Sequence, residues 1–202
     1  MSVIIGVCGQ NFATLWADKR ILEYNGNKVS SVKDDATKIF QVNSNVLFGV
    51  AGSFRQSENM CGALSTLVSP KTASVKVCKD AALSFLKKNQ RSDQVLFARN
   101  YFLAGKQRDG TFVMYTIHWD PAVGKIQTKQ YYPYGDIETF GVALALPDTP
   151  MQFQQDCKDS ANRLVLASKT YEDLDVGMTS LIREISKRNP AVSPMSMSLQ
   201  VT

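Results

Sequence analysis

The sequence predicts an α+β fold built as a four-layer αββα sandwich, with two antiparallel sheets face to face between helix pairs. Three observations carry this. Strand-like runs fall in two groups, and each group is followed by segments whose apolar residues recur at helical spacing. Runs of strands followed by runs of helices favour segregated layers over a βαβ parallel sheet. Finally, 202 residues with 44% apolar and 20% charged side chains suit one domain with a sizeable core. No linker, repeat or low-complexity segment divides residues 1–202, so a single domain is expected.

The elements follow in chain order. Val3, Ile5 and Val7 share one face of an extended chain, which predicts a strand over Ser2–Cys8. A Gly-Gln-Asn turn leads into a second strand, Phe12–Asp18. Lys28–Val32 reads as a short, weaker strand. Lys38–Val42 and Val46–Val50 follow, joined by the turn composition Asn43-Ser44-Asn45. The period then changes: Phe54, Cys61, Leu64 and Val68 predict one helix, with Ser53 as its N-cap. Val75, Cys78, Ala82 and Phe85 predict the next, and Pro70 separates the two. Strands return at Gln94–Lys106 and Thr111–Trp119 around an Arg108-Asp109-Gly110 link. Lys125–Tyr132 and Ile137–Leu144 complete the second group. Phe153, Cys157, Ala161 and Leu164 predict a helix opening near Pro150. Leu174, Met178, Leu181 and Ile185 predict another that closes before Pro190. Alternation over Ser196–Val201 gives a last strand.

Composition narrows the function. No uninterrupted apolar stretch is long enough for a membrane helix, and the start lacks the pattern of a secretory signal, so a cytoplasmic location without membrane contact is expected. The net charge is +5, but the basic residues are scattered. The densest runs, KKNQR at 87–91 and SKR at 186–188, lie at predicted helix ends, where they offset the helix dipole; nucleic-acid binding is not expected. Cys8, Cys61, Cys78 and Cys157 lack CxxC spacing and sit on apolar faces, which reads as buried thiols in a reducing compartment. The acidic pairs Asp34-Asp35, Asp156-Asp159 and Asp173-Asp175 lack the rhythm of a calcium loop and read as solvated turns and helix starts. No metal or organic cofactor is expected, and phosphate-binding glycine motifs are absent. His118, the single histidine, falls within a predicted strand and reads as structural, which argues against a histidine-dependent nucleophile.

Ser2 offers a nucleophile that needs no histidine. Removal of Met1 would leave a serine carrying its own general base, an α-amine that titrates near 7.7–8.0 in model compounds. Asp18 and Lys38 lie at strand ends, in LWADKR and DDATKIFQV. An ammonium beside Ser2 would lower the amine and hydroxyl pKa values, and a carboxylate would hold that lysine. In FGVAGSF, Gly49, Gly52 and Ser53 mark a strand-to-helix junction whose N–H groups could meet an oxyanion. Each feature also has an ordinary explanation, as an N-terminal serine, a solvated charge or a tight turn.

Together, SVIIGV, LWADKR and TKIFQVNSNVLFGVAGS resemble the β-type subunits of proteasomes. They also resemble the related proteolytic subunit of the bacterial ATP-dependent ring protease. The first 53 residues carry the specific match, and the order of elements supports it over the whole chain. The resemblance implies an N-terminal-nucleophile hydrolase fold. Ser2 takes the place of the family's threonine, Asp18 and Lys38 its supporting pair, and Gly52 N–H its oxyanion donor. Arg20, Val50, Ala51 and Ser53 would line the substrate cleft, where an extended peptide pairs like an added strand. Peptides or unfolded chains as substrates, a homo-oligomeric ring and an ATPase partner follow from the same resemblance. The chain departs from the family where hydroxyls are expected: FGVALALP puts Val142 and Leu144 there. RNPAVSPMS offers Asn189 and Ser193 as loose counterparts of an aspartate and a serine after the fourth helix. Three readings stand: a peptide hydrolase, an amidase for a small non-peptide amide, and a non-catalytic scaffold with a decayed site.

Overall fold

The computed structural model describes residues 2–25, 28–52, 60–64, 66, 73–89, 99–120, 124–133, 141–146 and 149–202. The first strand, β1 (Ile4–Cys8), is wholly buried because both of its edges and both of its faces are covered. It pairs antiparallel with β2 (Ala13–Asp18) on one side and with β10 (Gly141–Ala145) on the other. β11 (Ser196–Val201) closes the far side of β2, giving the order β10-β1-β2-β11. The second sheet runs β5 (Ile39–Asn43), β6 (Val46–Ala51), β7 (Arg99–Lys106), β8 (Phe112–Asp120) and β9 (Lys125–Tyr131), each antiparallel to the next.

Helices α1 (Val75–Asn89), α2 (Met151–Ala167) and α3 (Tyr171–Arg188) accompany the sheets, and residues 60–64 are also helical. Thr170 caps α3 by accepting the Asp173 N–H at 3.1 Å, and Lys187 and Arg188 offset the dipole at its other end. Lys87 and Lys88 do the same for α1.

Strand alternation divides the apolar residues between clusters. Ile4, Leu15, Ile39, Leu47, Phe102 and Met114 meet between the two sheets. On the other face of the four-stranded sheet, Val3, Ile5, Val7 and Trp16 pack against Leu174, Met178 and Ile182 of α3 and Ala161 of α2. On the other face of the five-stranded sheet, Phe48, Tyr101 and Ile117 pack against Cys78 and Ala82 of α1 and against Met60 and Leu64. Each such large side chain contributes roughly 1.5–3 kcal/mol by leaving water. Trp16 also ties β2 to α3, donating its indole N–H to Asp175 Oδ1 at 2.7 Å and stacking on Tyr171. Close packing reaches the backbone at Gly105, where φ is +154° and a Cβ would run into the Asn45 carbonyl oxygen.

Most expected elements lie within a residue or two of their observed bounds, and Ser196–Val201 matches at both ends. The sequence reading places no strand at 21–25, yet Ile21–Asn25 forms β3, a separate hairpin with β4 (Lys28–Lys33). A register shift at Glu23/Tyr24 breaks the alternation that would have marked it. Of the helix expected around Phe54–Val68, only residues 60–64 and 66 are described. Ser53, Pro70 and the early parts of Gln94–Lys106 and Ile137–Leu144 lie outside the described residues. All three acidic pairs read as solvated contain engaged members: Asp34 on Arg20, Asp156 and Asp159 on Gln152 and Gln155, and Asp175 on Trp16. Cys8, Cys78 and Cys157 are buried, Cys61 is half-buried, and none of the four is in a disulfide. Burial pushes the Cys8 thiol up to about 12, which leaves it unreactive.

Candidate active site

The register of β1 on β2 sets Ile4 opposite Ala17, so the chain just before β1 lies across from the end of β2. Asp18 N–H donates to the Val3 carbonyl at 3.3 Å, and Val3 N–H donates back to Asp18 Oδ1 at 2.8 Å. Lys38, immediately before β5, reaches the same oxygen: Nζ lies 2.8 Å from Oδ1. One carboxylate oxygen therefore joins the ammonium to the Ser2–Val3 peptide. The other oxygen, Oδ2, accepts the backbone N–H groups of Arg20 at 2.9 Å and Ser193 at 3.1 Å.

Asp18 is fully buried, and these four donors fill the usual acceptor positions of a carboxylate. It is thus held in place as the ion-pair partner of Lys38. Lys38 is 2% exposed. Burial lowers its pKa, opposed by the charge and hydrogen bond of Asp18 and by the charge of Asp34, while Arg20 pushes the same way as burial. Ser2 is 4% exposed, and among the described residues its hydroxyl has no hydrogen-bond partner.

A second ion pair braces the first. Arg20 Nε and Nη2 meet Asp34 Oδ1 and Oδ2 at 2.8 and 2.7 Å, and Nη1 donates to the Pro190 carbonyl at 2.6 Å. This links the end of β2, the chain before β5 and the loop after α3. In that loop Asn189 N–H closes α3 on Ile185 O at 2.9 Å, while Asn189 Oδ1 accepts Ala191 N–H at 3.0 Å. Ser193 Oγ accepts Met195 N–H at 3.1 Å. The loop conformation thereby delivers Ser193 N–H to Asp18.

The hydrogen bond from Arg20 holds the Asp34 carboxyl below its ordinary range, aided by the charge of Arg20, the Ser193 hydroxyl and the charge of Lys38. A lowered folded-state pKa gives stability that is present above the unfolded value and lost as pH falls through the folded one. The chain should therefore lose stability in the window below about pH 4. Asp34→Asn should flatten the part of that loss due to this group, as read from urea midpoints at pH 5 and pH 3.

The remaining expected site residues divide. Gly52 follows β6 at φ +128°, a conformation that favours glycine, and is half-buried. Val50 and Ala51, expected to contact substrate, are 3% and 0% exposed, with side chains in the core clusters. Their strand is interior: Val50 N–H donates to Lys38 O at 3.0 Å, and Ala51 pairs with Asn100. Ser53, the other residue expected in the cleft, lies outside the described residues. Arg20 commits its guanidinium to Asp34 and Pro190, so its place is in the brace. His118 lies in β8, with Nδ1 3.0 Å from Asn100 Oδ1.

The register also corrects the expected loss of polar groups in β10. Val142 pairs with Val7 and Leu144 with Ile5, so both lie along β1, away from Ser2. The residues that continue this register toward Ser2 begin at Leu146, and 147–148 lie outside the described residues. Sequence reasoning missed the Arg20–Asp34–Pro190 brace. The arginine two places after Asp18 was its one visible signal. Among the described residues no cluster of three metal-ligating side chains occurs, and no helix is long and apolar enough to cross a membrane.

Neither a family model nor a curated protein matches the chain. Among solved structures it is similar to eukaryotic HslV from Trypanosoma brucei, with a TM-score of 0.61, 16% identity and 98% of each chain covered. At that identity the likeness shows the fold: an HslV-like mixed α/β architecture with antiparallel sheets.

Proposed function

We propose that this chain, once Met1 is removed, is a proteasome-like peptide hydrolase that uses Ser2 as its N-terminal nucleophile. The observation that carries the reading is the buried Lys38–Asp18 pair bonded to the Val3 N–H, which sets an ammonium beside the Ser2–Val3 peptide. The HslV-like fold and the resemblance of the first 53 residues support it.

Ser2 Oγ attacks the scissile carbonyl, and its proton passes to the Ser2 amine, directly or through a water. The oxyanion takes the Gly52 N–H, and Lys38 favours the deprotonated forms of hydroxyl and amine. The ammonium of Ser2 returns the proton to the leaving amine. Water, deprotonated by the same amine, then releases the acyl group. Asp18 fixes Lys38, and Arg20 with Asp34 braces Asp18.

The wider assignment rests on the same resemblance. It comprises a single four-layer αββα domain over 1–202, a cytoplasmic homo-oligomeric ring, and an ATPase partner that delivers unfolded chains. One observation favours the scaffold reading instead: in the chain that carries Met1, Ser2 is 4% exposed. Turnover of a fluorogenic peptide amide separates the two. Chain freed of Met1, as verified by intact mass, should hydrolyse it, and chain retaining Met1 should not. Equal inactivity of both preparations would leave the scaffold.

A further inference from the structure

A cavity of about 940 Å³ opens at the end of the molecule opposite the Ser2–Asp18 site, reached by the β1–β2 turn (Gln10), the β7–β8 turn and the start of α1. Its volume is in the range of small-molecule sites. The start of α1 is pinned there, because Asn43 Nδ2 donates to the Ala73 carbonyl at 3.2 Å. The first N–H groups of a 15-residue helix, beginning at Val75, have no partners within the helix, and no acidic residue occupies its first turn.

Ser74, at the position just before α1, is 6% exposed and lines the cavity. Its carbonyl accepts Cys78 N–H at 3.1 Å, but among the described residues its hydroxyl has no hydrogen-bond partner. The hydroxyl oxygen is not sealed from solvent, so it opens on the cavity and is available to a ligand there. Two cations line the same cavity, Lys76 and Arg108, and among the described residues neither has an acidic partner. The two carboxylates of the lining are already engaged. Asp80 pairs with Lys79 at 2.9 Å, and Asp109 Oδ1 accepts the Thr111 N–H and hydroxyl at 3.0 and 2.6 Å. Phe112 and Tyr132 give the cavity an aromatic portion.

We propose that this cavity binds a small phosphate monoester, with the phosphate on the α1 N-terminus, the Ser74 hydroxyl, Lys76 and Arg108, and the organic part against Phe112 and Tyr132. Two unpaired cations, a hydroxyl donor and a helix N-terminus together suit a dianion better than a single carboxylate. The site is independent of the Ser2 chemistry, and its test does not use hydrolysis.

Calorimetric titration of the full chain with phenyl phosphate, inorganic phosphate and phenylacetate tests it. Phenyl phosphate should bind saturably at millimolar concentration or below, more tightly than inorganic phosphate, and about tenfold or more tightly than phenylacetate. The exposed double change Lys76→Gln/Arg108→Gln should weaken phenyl phosphate by about tenfold or more, and Ser74→Ala should weaken it further. Absence of saturable phenyl phosphate binding, equal binding of phenylacetate, or unchanged affinity in the double variant would overturn the proposal.

Discussion

A Ser2→Ala chain freed of Met1 is expected to lose peptide-amide hydrolysis by about 10³-fold or more, the scale on which deleting a nucleophile acts. Its melting temperature should stay close to that of the parent. The Ser2 hydroxyl has no hydrogen-bond partner among the described residues, so its removal breaks no bond in the network. The two readouts must be taken together. Lost activity with an unchanged melting point assigns the chemistry to the hydroxyl. A Ser2→Ala chain that retains full turnover would show that another group performs the reaction.

The largest effect on stability is expected from Lys38→Met. Methionine preserves most of the stem volume while removing the ammonium, which leaves Asp18 fully buried without a counter-charge. Breaking a buried ion pair from one side costs about 3–5 kcal/mol. For a chain of this length that lowers the melting temperature by roughly 10 °C. The double variant Lys38→Met/Asp18→Asn should recover part of the loss, giving a coupling of about 1 kcal/mol or more in a double-mutant cycle. Hydrolysis should vanish in both. A single variant as stable as the parent would mean that the Asp18 carboxylate is solvated, contrary to the arrangement described.

Much of this arrangement was legible in the sequence, for identifiable reasons. β2 and β11 alternate cleanly because one face meets the inter-sheet core and the other meets α3 or solvent. The α3 helix is legible from Leu174, Met178 and Ile185, all buried on one face, whereas Leu181, the fourth expected position, is half-buried and its neighbour Ile182 takes the core place. Asp18 and Lys38 stand out as charges set against apolar strands. The Ser193 donor was not legible as such: it is a backbone N–H 175 residues from Asp18, delivered by loop geometry rather than by side-chain type. The role of Arg20 was misplaced for the same reason, since Asp34 and Pro190 become its partners only after the chain returns to the end of β2. Val142 and Leu144 were misassigned because motif spacing does not give strand register, which sets them opposite Val7 and Ile5.

The central claim is that Ser2 carries both a reactive hydroxyl and a free amine. A peptide epoxyketone tests both at once: the hydroxyl adds to the ketone, and the amine then opens the epoxide to close a ring. Intact mass and fragment mapping of the treated, Met1-free chain should show one inhibitor per chain, held at Ser2. An unmodified chain, or an adduct confined to another residue such as Cys61, would contradict the account.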